Sequence, residues 1–77
     1  MSPKAPRLTG KHIEKALVKE GWYLHHSRGS HYYYRNVKRK GKQVTIPMHA
    51  GEIIPHRTLG YILEQAEITL DEFVKLL

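Results

Sequence analysis

An α+β two-layer sandwich, ordered helix, three antiparallel strands, helix, is predicted by two helical periodicities and the alternating stretches between them. Ile13, Ala16 and Leu17 share one helix face near the start, and Leu59, Ile62, Leu63 and Ala66 fall at i, i+3, i+4, i+7 farther on. Between them, short runs rich in aromatic and β-branched residues, separated by glycine-containing turns, read as a three-stranded meander that the helices cover on one face.

The first helix opens at Leu8-Thr9, where Thr9 can cap free amides and Leu8 sits to staple onto Ile13, and it stops at Gly21. Lys11, Lys15 and Lys19 recur every four residues as a basic stripe, either a solvated face or a phosphate-contacting one. Gly21 to His26 reads as the first strand, with Trp22 and Leu24 on one face and Tyr23 and His25 on the other. On that alternation His25 and His26 point to opposite faces and cannot hold one metal together. A second strand runs from about Ser30 to Val37 and is turned back through residues 37–42, with Gly41 as the turn residue. Gln43 to His49 alternates, sending Val44, Ile46 and Met48 to the core and Thr45 and His49 to the other face. Pro47 has no amide to donate, so this strand is at an edge or ends there. Thr69-Leu70-Asp71-Glu72 is a capping box, with Ile68 and Phe73 as its staple. It begins a short extra C-terminal helix that carries Phe73, Val74 and Leu77 inward. Residues 1–7, polar and broken by proline, read as a flexible tail on a single domain spanning 8–77. The α-β-β-β-α order is that of double-stranded-RNA-binding domains, and it leaves one sheet face open.

A chain of 77 residues has little room for a deep substrate cavity, so its chemistry belongs on a surface. The net charge of +6 is unevenly placed. No acid occurs between Glu20 and Glu52, an interval that holds Arg28, Arg35, Lys38, Arg39, Lys40 and Lys42. Residues 52–77 carry Glu52, Glu64, Glu67, Asp71 and Glu72 against Arg57 and Lys75. A basic half interleaved with tyrosines is the footprint of a polyanion binder, nucleic acid above all. Without cysteine there is neither a disulfide framework nor a thiolate zinc site, and no apolar run reaches the length of a membrane span. The expected location is the cytoplasm. No metal or other cofactor is expected: the six histidines form no H-x-x-x-H helix and no carboxylate-histidine cluster.

The rest of the chain serves residues 27–36. Gly29 can take the positive φ of a tight turn, Ser30 can bond back to the local backbone, and His31 then leaves the turn on a rigid mount. An imidazole titrates near neutrality, as acid/base catalysis requires. At least one of Tyr32, Tyr33 and Tyr34 must face the core; alternation alone does not say which, nor which face His31 shares.

Leu8-Thr9-Gly10-Lys11, Gly21-Trp22-Tyr23-Leu24, Gly29-Ser30-His31, the run Val44 to His49, Thr58-Leu59, and Ile62 to Ala66 through Glu72-Phe73 together resemble the HicA (YcfA-like) toxins of HicA–HicB toxin–antitoxin systems, over roughly residues 8–77. The resemblance implies a double-stranded-RNA-binding-like fold, endoribonuclease activity on mRNA, and neutralisation by a HicB-type antitoxin. It places the family's catalytic histidine on His31. Two positions depart from the family pattern. Tyr32 stands where a second histidine is frequent, and Glu67 stands where glycine usually follows the Gln-Ala pair, which removes an easy positive-φ helix end without touching the chemistry.

RNA carries its own nucleophile, the ribose 2′-OH, so cleavage needs a base, positive charge at the phosphorane, and an acid for the leaving oxygen. His31 fits the base or the acid, and Arg28 and Arg35 flank it along the chain. Arg28, Gly29, Ser30, Arg35, Lys38, Arg39, Lys40 and Lys42 make up the expected RNA-binding set. His49 is either a second proton-transfer group or a packing residue. The rival reading is a non-catalytic RNA-binding module in which His31 is a turn residue.

Overall fold

Helix α1 (Gly10–Val18) begins where Thr9, in extended conformation, turns its hydroxyl onto the His12 amide at 3.4 Å. The Thr9 amide in turn donates to His12 Nδ1 at 3.1 Å, so an imidazole completes the capping box. Ile13, Ala16 and Leu17 are buried as the periodicity requires, and the helix is released by Gly21 at φ +97°. These coordinates come from a computed structural model that describes residues 7–77, so the expected tail lies outside the described residues but for Arg7.

Strands β1 (Tyr23–Arg28), β2 (His31–Arg35) and β3 (Val44–Pro47) follow in an antiparallel sheet of order β1-β2-β3. β3 is an edge strand and ends at Pro47. Helix α2 (His56–Ala66) buries Leu59, Ile62, Leu63 and Ala66, and with α1 it packs mainly over β3. The architecture is the α+β arrangement α-β-β-β-α with a short C-terminal helix, α3 (Leu70–Val74).

Cross-strand partners share a sheet face. Tyr34 lies between Leu24 and Val44, and Tyr32 lies opposite Ile46; this is the face that the helices cover, where Tyr34, Val44 and Ile46 are fully buried. The other face carries Tyr23, His26 and Arg28 from β1, His31, Tyr33 and Arg35 from β2, and Thr45 and Pro47 from β3.

Several expectations need correction. β1 starts later than expected and runs on to Arg28, and β2 ends at Arg35 because Asn36 turns inward. Buried Asn36 donates to the Glu20 carbonyl at 3.0 Å and accepts from the Lys38 amide at 3.0 Å, pinning the β2–β3 loop to the end of α1. Leu24 does face the helix side, but β1 is the outer strand, and the side chain is left 46% exposed. In α3 the inward set is Phe73 with partly buried Leu70 and Leu76, three residues to either side; Val74 and Leu77 are exposed. The helix closes at Val74, so Leu77 is no longer on helical spacing. The loop before α2 also forms a short pairing, in which the Ile54 amide donates to the Leu8 carbonyl at 2.7 Å beside a bridge between Thr9 and Ile53.

Candidate active site

Two residues, Gly29 and Ser30, connect β1 to β2. Gly29 has φ +59° and Ser30 is not left-handed, the pattern of a type II′ turn, whose twist suits a hairpin. Ser30 is anchored across the sheet and not by a side-chain bond to the local backbone: its carbonyl accepts the Met48 amide at 2.6 Å, tying the turn to the chain leaving β3. His31 is the first residue of β2, exposed, with Arg28 opposite it on β1 and Pro47 opposite it on β3. Directly opposed side chains start about 5 Å apart, so an imidazole and a guanidinium stand side by side on the uncovered face. That pair can move a proton and hold a phosphate oxygen at one point.

The other expected residues are not all gathered there. Arg35 shares the face but lies four residues along the strand, roughly 13 Å away at 3.3 Å per residue, so it does not flank His31. Its Nη2 donates to Gln43 Oε1 at 3.2 Å. Arg35 joins Tyr23, Arg39, Lys40 and Lys42 around a concavity of about 270 Å³ at the far end of the sheet. Lys38 is exposed beside it. Arg39 and Lys42 reach across to Glu67, at 3.6 Å and 3.3 Å. Glu67 itself caps α2 in the left-handed conformation, φ 59° and ψ 40°, so the positive-φ helix end persists without glycine. His49 lies two residues past Pro47, the partner of His31, and lines a cleft of about 250 Å³ with Lys11 and Tyr32.

Tyr34 is the tyrosine that faces the core. Its hydroxyl donates to Glu14 Oε2 on α1, and burial first, with Glu14 second, pushes its ionisation well above the ordinary tyrosine range. Tyr32 is half-buried against the same core, which leaves Tyr33 as the β2 tyrosine on the open face.

The pairing of β1 with β2 contains a cluster that the alternation missed. The register shifts between Leu24 and His26, so His25 is an extra, unpaired residue. The bulge breaks the period of two, and the expected separation of His25 from His26 does not occur: their Nδ1 atoms lie 2.8 Å apart, with the rings edge to face. His26 also stacks on Tyr33, ring centres 4.5 Å apart and planes 13° from parallel. Among the described residues, no three histidine, aspartate or glutamate side chains converge as a metal site would require.

None of the described helices is long and apolar enough to cross a membrane. No curated protein matches the sequence at a significant level. The family model for the HicA toxin of bacterial toxin–antitoxin systems matches residues 10–68, a span that opens with α1, takes in the whole sheet and closes just beyond α2. That match covers most of the chain and coincides with the folded unit carrying the Gly29-Ser30-His31 turn, and the protein therefore belongs to the HicA toxin family.

Proposed function

We propose that this toxin is an mRNA interferase, a metal-independent endoribonuclease working in the cytoplasm, with His31 as its catalytic histidine and a HicB-type antitoxin as its inhibitor. The observation that carries this reading is the placement of an exposed imidazole beside Arg28 on a sheet face that no helix covers. The 2′-oxygen of the substrate attacks the adjacent phosphorus as its proton leaves, the bond from phosphorus to the 5′-oxygen breaks, and that oxygen takes up a proton. The products are a 2′,3′-cyclic phosphate and a 5′-hydroxyl. His31 transfers one of the two protons, and Arg28 holds the charge that builds on the phosphoryl oxygens.

At the far end of that face Arg35, and beyond it the loop residues Lys38, Arg39, Lys40 and Lys42, grip phosphates without reading bases. The antitoxin partner covers this face and occludes His31, its acidic groups meeting the same cations. Assay of purified protein on RNA in excess EDTA tests the reading. The parental protein cleaves, and His31→Ala loses at least about 100-fold in rate while keeping its fold and RNA affinity. A folded His31→Ala protein that cleaves at the parental rate removes His31 from the mechanism. A parental protein that binds RNA without cutting it favours the binding-module reading.

A further inference from the structure

Cleavage through the 2′-OH needs two proton transfers, and His31 supplies one. Tyr32, the next residue, faces the helices, and His49 lines a cleft with Lys11 and Tyr32, whereas β1 brings a further imidazole onto the open face that carries His31. We infer that His26 is that second proton-transfer group and that His25 positions it; this rests on the ribonuclease reading above.

Three features support the assignment. His26 pairs with Tyr33, which puts it on the face of His31, diagonal to it and two residues before Arg28, the direct partner of His31. Diagonal neighbours on one face have Cα atoms about 7 to 8 Å apart, so His26, His31 and Arg28 form a triangle that can surround one phosphodiester. The His26 ring is also held on two sides, by the stack on Tyr33 and by the 2.8 Å Nδ1 contact with His25. Finally, with Nδ1 engaged, Nε2 is the nitrogen left to exchange a proton with substrate, the arrangement by which one ring nitrogen is fixed so that the other can work. The titratable or charged groups facing His26 are Tyr23, His25 and Arg28 on β1 and His31, Tyr33 and Arg35 on β2. None is a carboxylate.

In the balanced step, one imidazole takes the 2′-OH proton as the oxygen–phosphorus bond forms, and the other gives its proton to the departing 5′-oxygen. The two rings end with exchanged protonation states, and water resets them.

The test is the pH profile of kcat/KM on RNA for the parental protein and His26→Gln, with affinity for an RNA carrying 2′-deoxyribose at the cleavage position as the control. The parental profile is expected to have an acid and a base limb. His26→Gln is expected to lose one limb and at least about 100-fold in kcat/KM, with affinity kept within threefold. His26→Asn serves as a second variant where glutamine disturbs the stack on Tyr33. Parental cleavage with both limbs and near-parental rates in the two folded variants overturns the role of His26 and leaves the ribonuclease reading standing. Absence of cleavage by the parental protein overturns both.

Discussion

Burying the Tyr34 ring at the centre of the sheet takes its hydroxyl out of water, and Glu14 accepts the hydrogen bond that compensates. A bond to a charged acceptor of this kind is worth more than a neutral one, and Glu14 is still partly exposed, so Tyr34→Phe is expected to cost about 1 to 2 kcal/mol at pH 7. The folded-state pKa of Tyr34 is raised, so the stability it contributes is complete below about pH 10 and is lost as pH rises beyond that. Denaturant melts at pH 7 and pH 11 check this: the gap between parental protein and Tyr34→Phe narrows at the higher pH, and a constant gap would remove ionisation of Tyr34 from the account. At this scale the sequence was only partly readable. That one of three consecutive tyrosines faces the core follows from alternation, but choosing Tyr34 requires the β2–β3 register, and the loop of residues 36–43 is too long to fix it. Asn36 gave no signal, because an Asn after a strand reads as a turn residue whether or not it reaches back to Glu20.

At the level of elements, the helix starts at Thr9 and Thr69 and the buried faces of α1 and α2 are legible because those signals are local, whereas the inward set of α3 is not, because that helix closes at Val74 before the spacing expected of Leu77 applies. The bulge was legible only by a longer route. Counting back from a two-residue turn pairs Arg28 with His31 and His26 with Tyr33, which sets His25 against Tyr34. A polar imidazole opposite the central core residue is a poor match, and looping out His25 brings Leu24 there instead. Close packing between elements escaped the sequence as well. A Cβ on Gly10 would come within 2.8 Å of Met48 Sδ, which can swing away, and 3.0 Å of the Pro47 carbonyl, which sits on β3 backbone, so α1 and β3 meet closely at a glycine. Alanine gains about 1 kcal/mol over glycine in a helix, whereas forced overpacking costs about 1 to 3 kcal/mol. Gly10→Ala is therefore expected to lower stability, and Gly60→Ala, whose Cβ would meet nothing within 4 Å, to raise it by about 0.5 to 1 kcal/mol. Thermal melts of both variants decide the matter, and a stabilised Gly10→Ala protein would mean that α1 and β3 are farther apart.

Over the whole molecule, the segregation of charge was visible in the sequence and the layout of the basic residues was not. Of the cations, Arg28 stands opposite His31 at one end of the open face and Arg35 at the other, where Arg39, Lys40 and Lys42 gather around its concavity while Arg39 and Lys42 also reach Glu67 at the end of α2, a spread that suits an extended strand of RNA better than a single point of contact. Glu67 holds two of them in exposed pairs worth no more than about 1 kcal/mol each, weak enough for phosphates to displace. Replacing Lys38, Arg39, Lys40 and Lys42 by alanine is expected to weaken RNA binding similarly across sequences and to flatten its salt slope by about 3, and Glu67→Gln to tighten binding. An unchanged slope in a salt titration would move the RNA track elsewhere, to Lys11, Lys15 and Lys19 on α1.

The central claim is that the uncovered sheet face, with His31 at one end and the basic loop at the other, is the working surface of this toxin. A backbone-amide NMR titration with an uncleavable RNA, followed by addition of the antitoxin, addresses it most directly. Adding RNA is expected to shift residues 28–36 and 38–42, and these shifts are replaced by those of the protein complex as the antitoxin displaces the strand. Shifts confined to α2 and α3, or RNA that stays bound in the antitoxin complex, would contradict it.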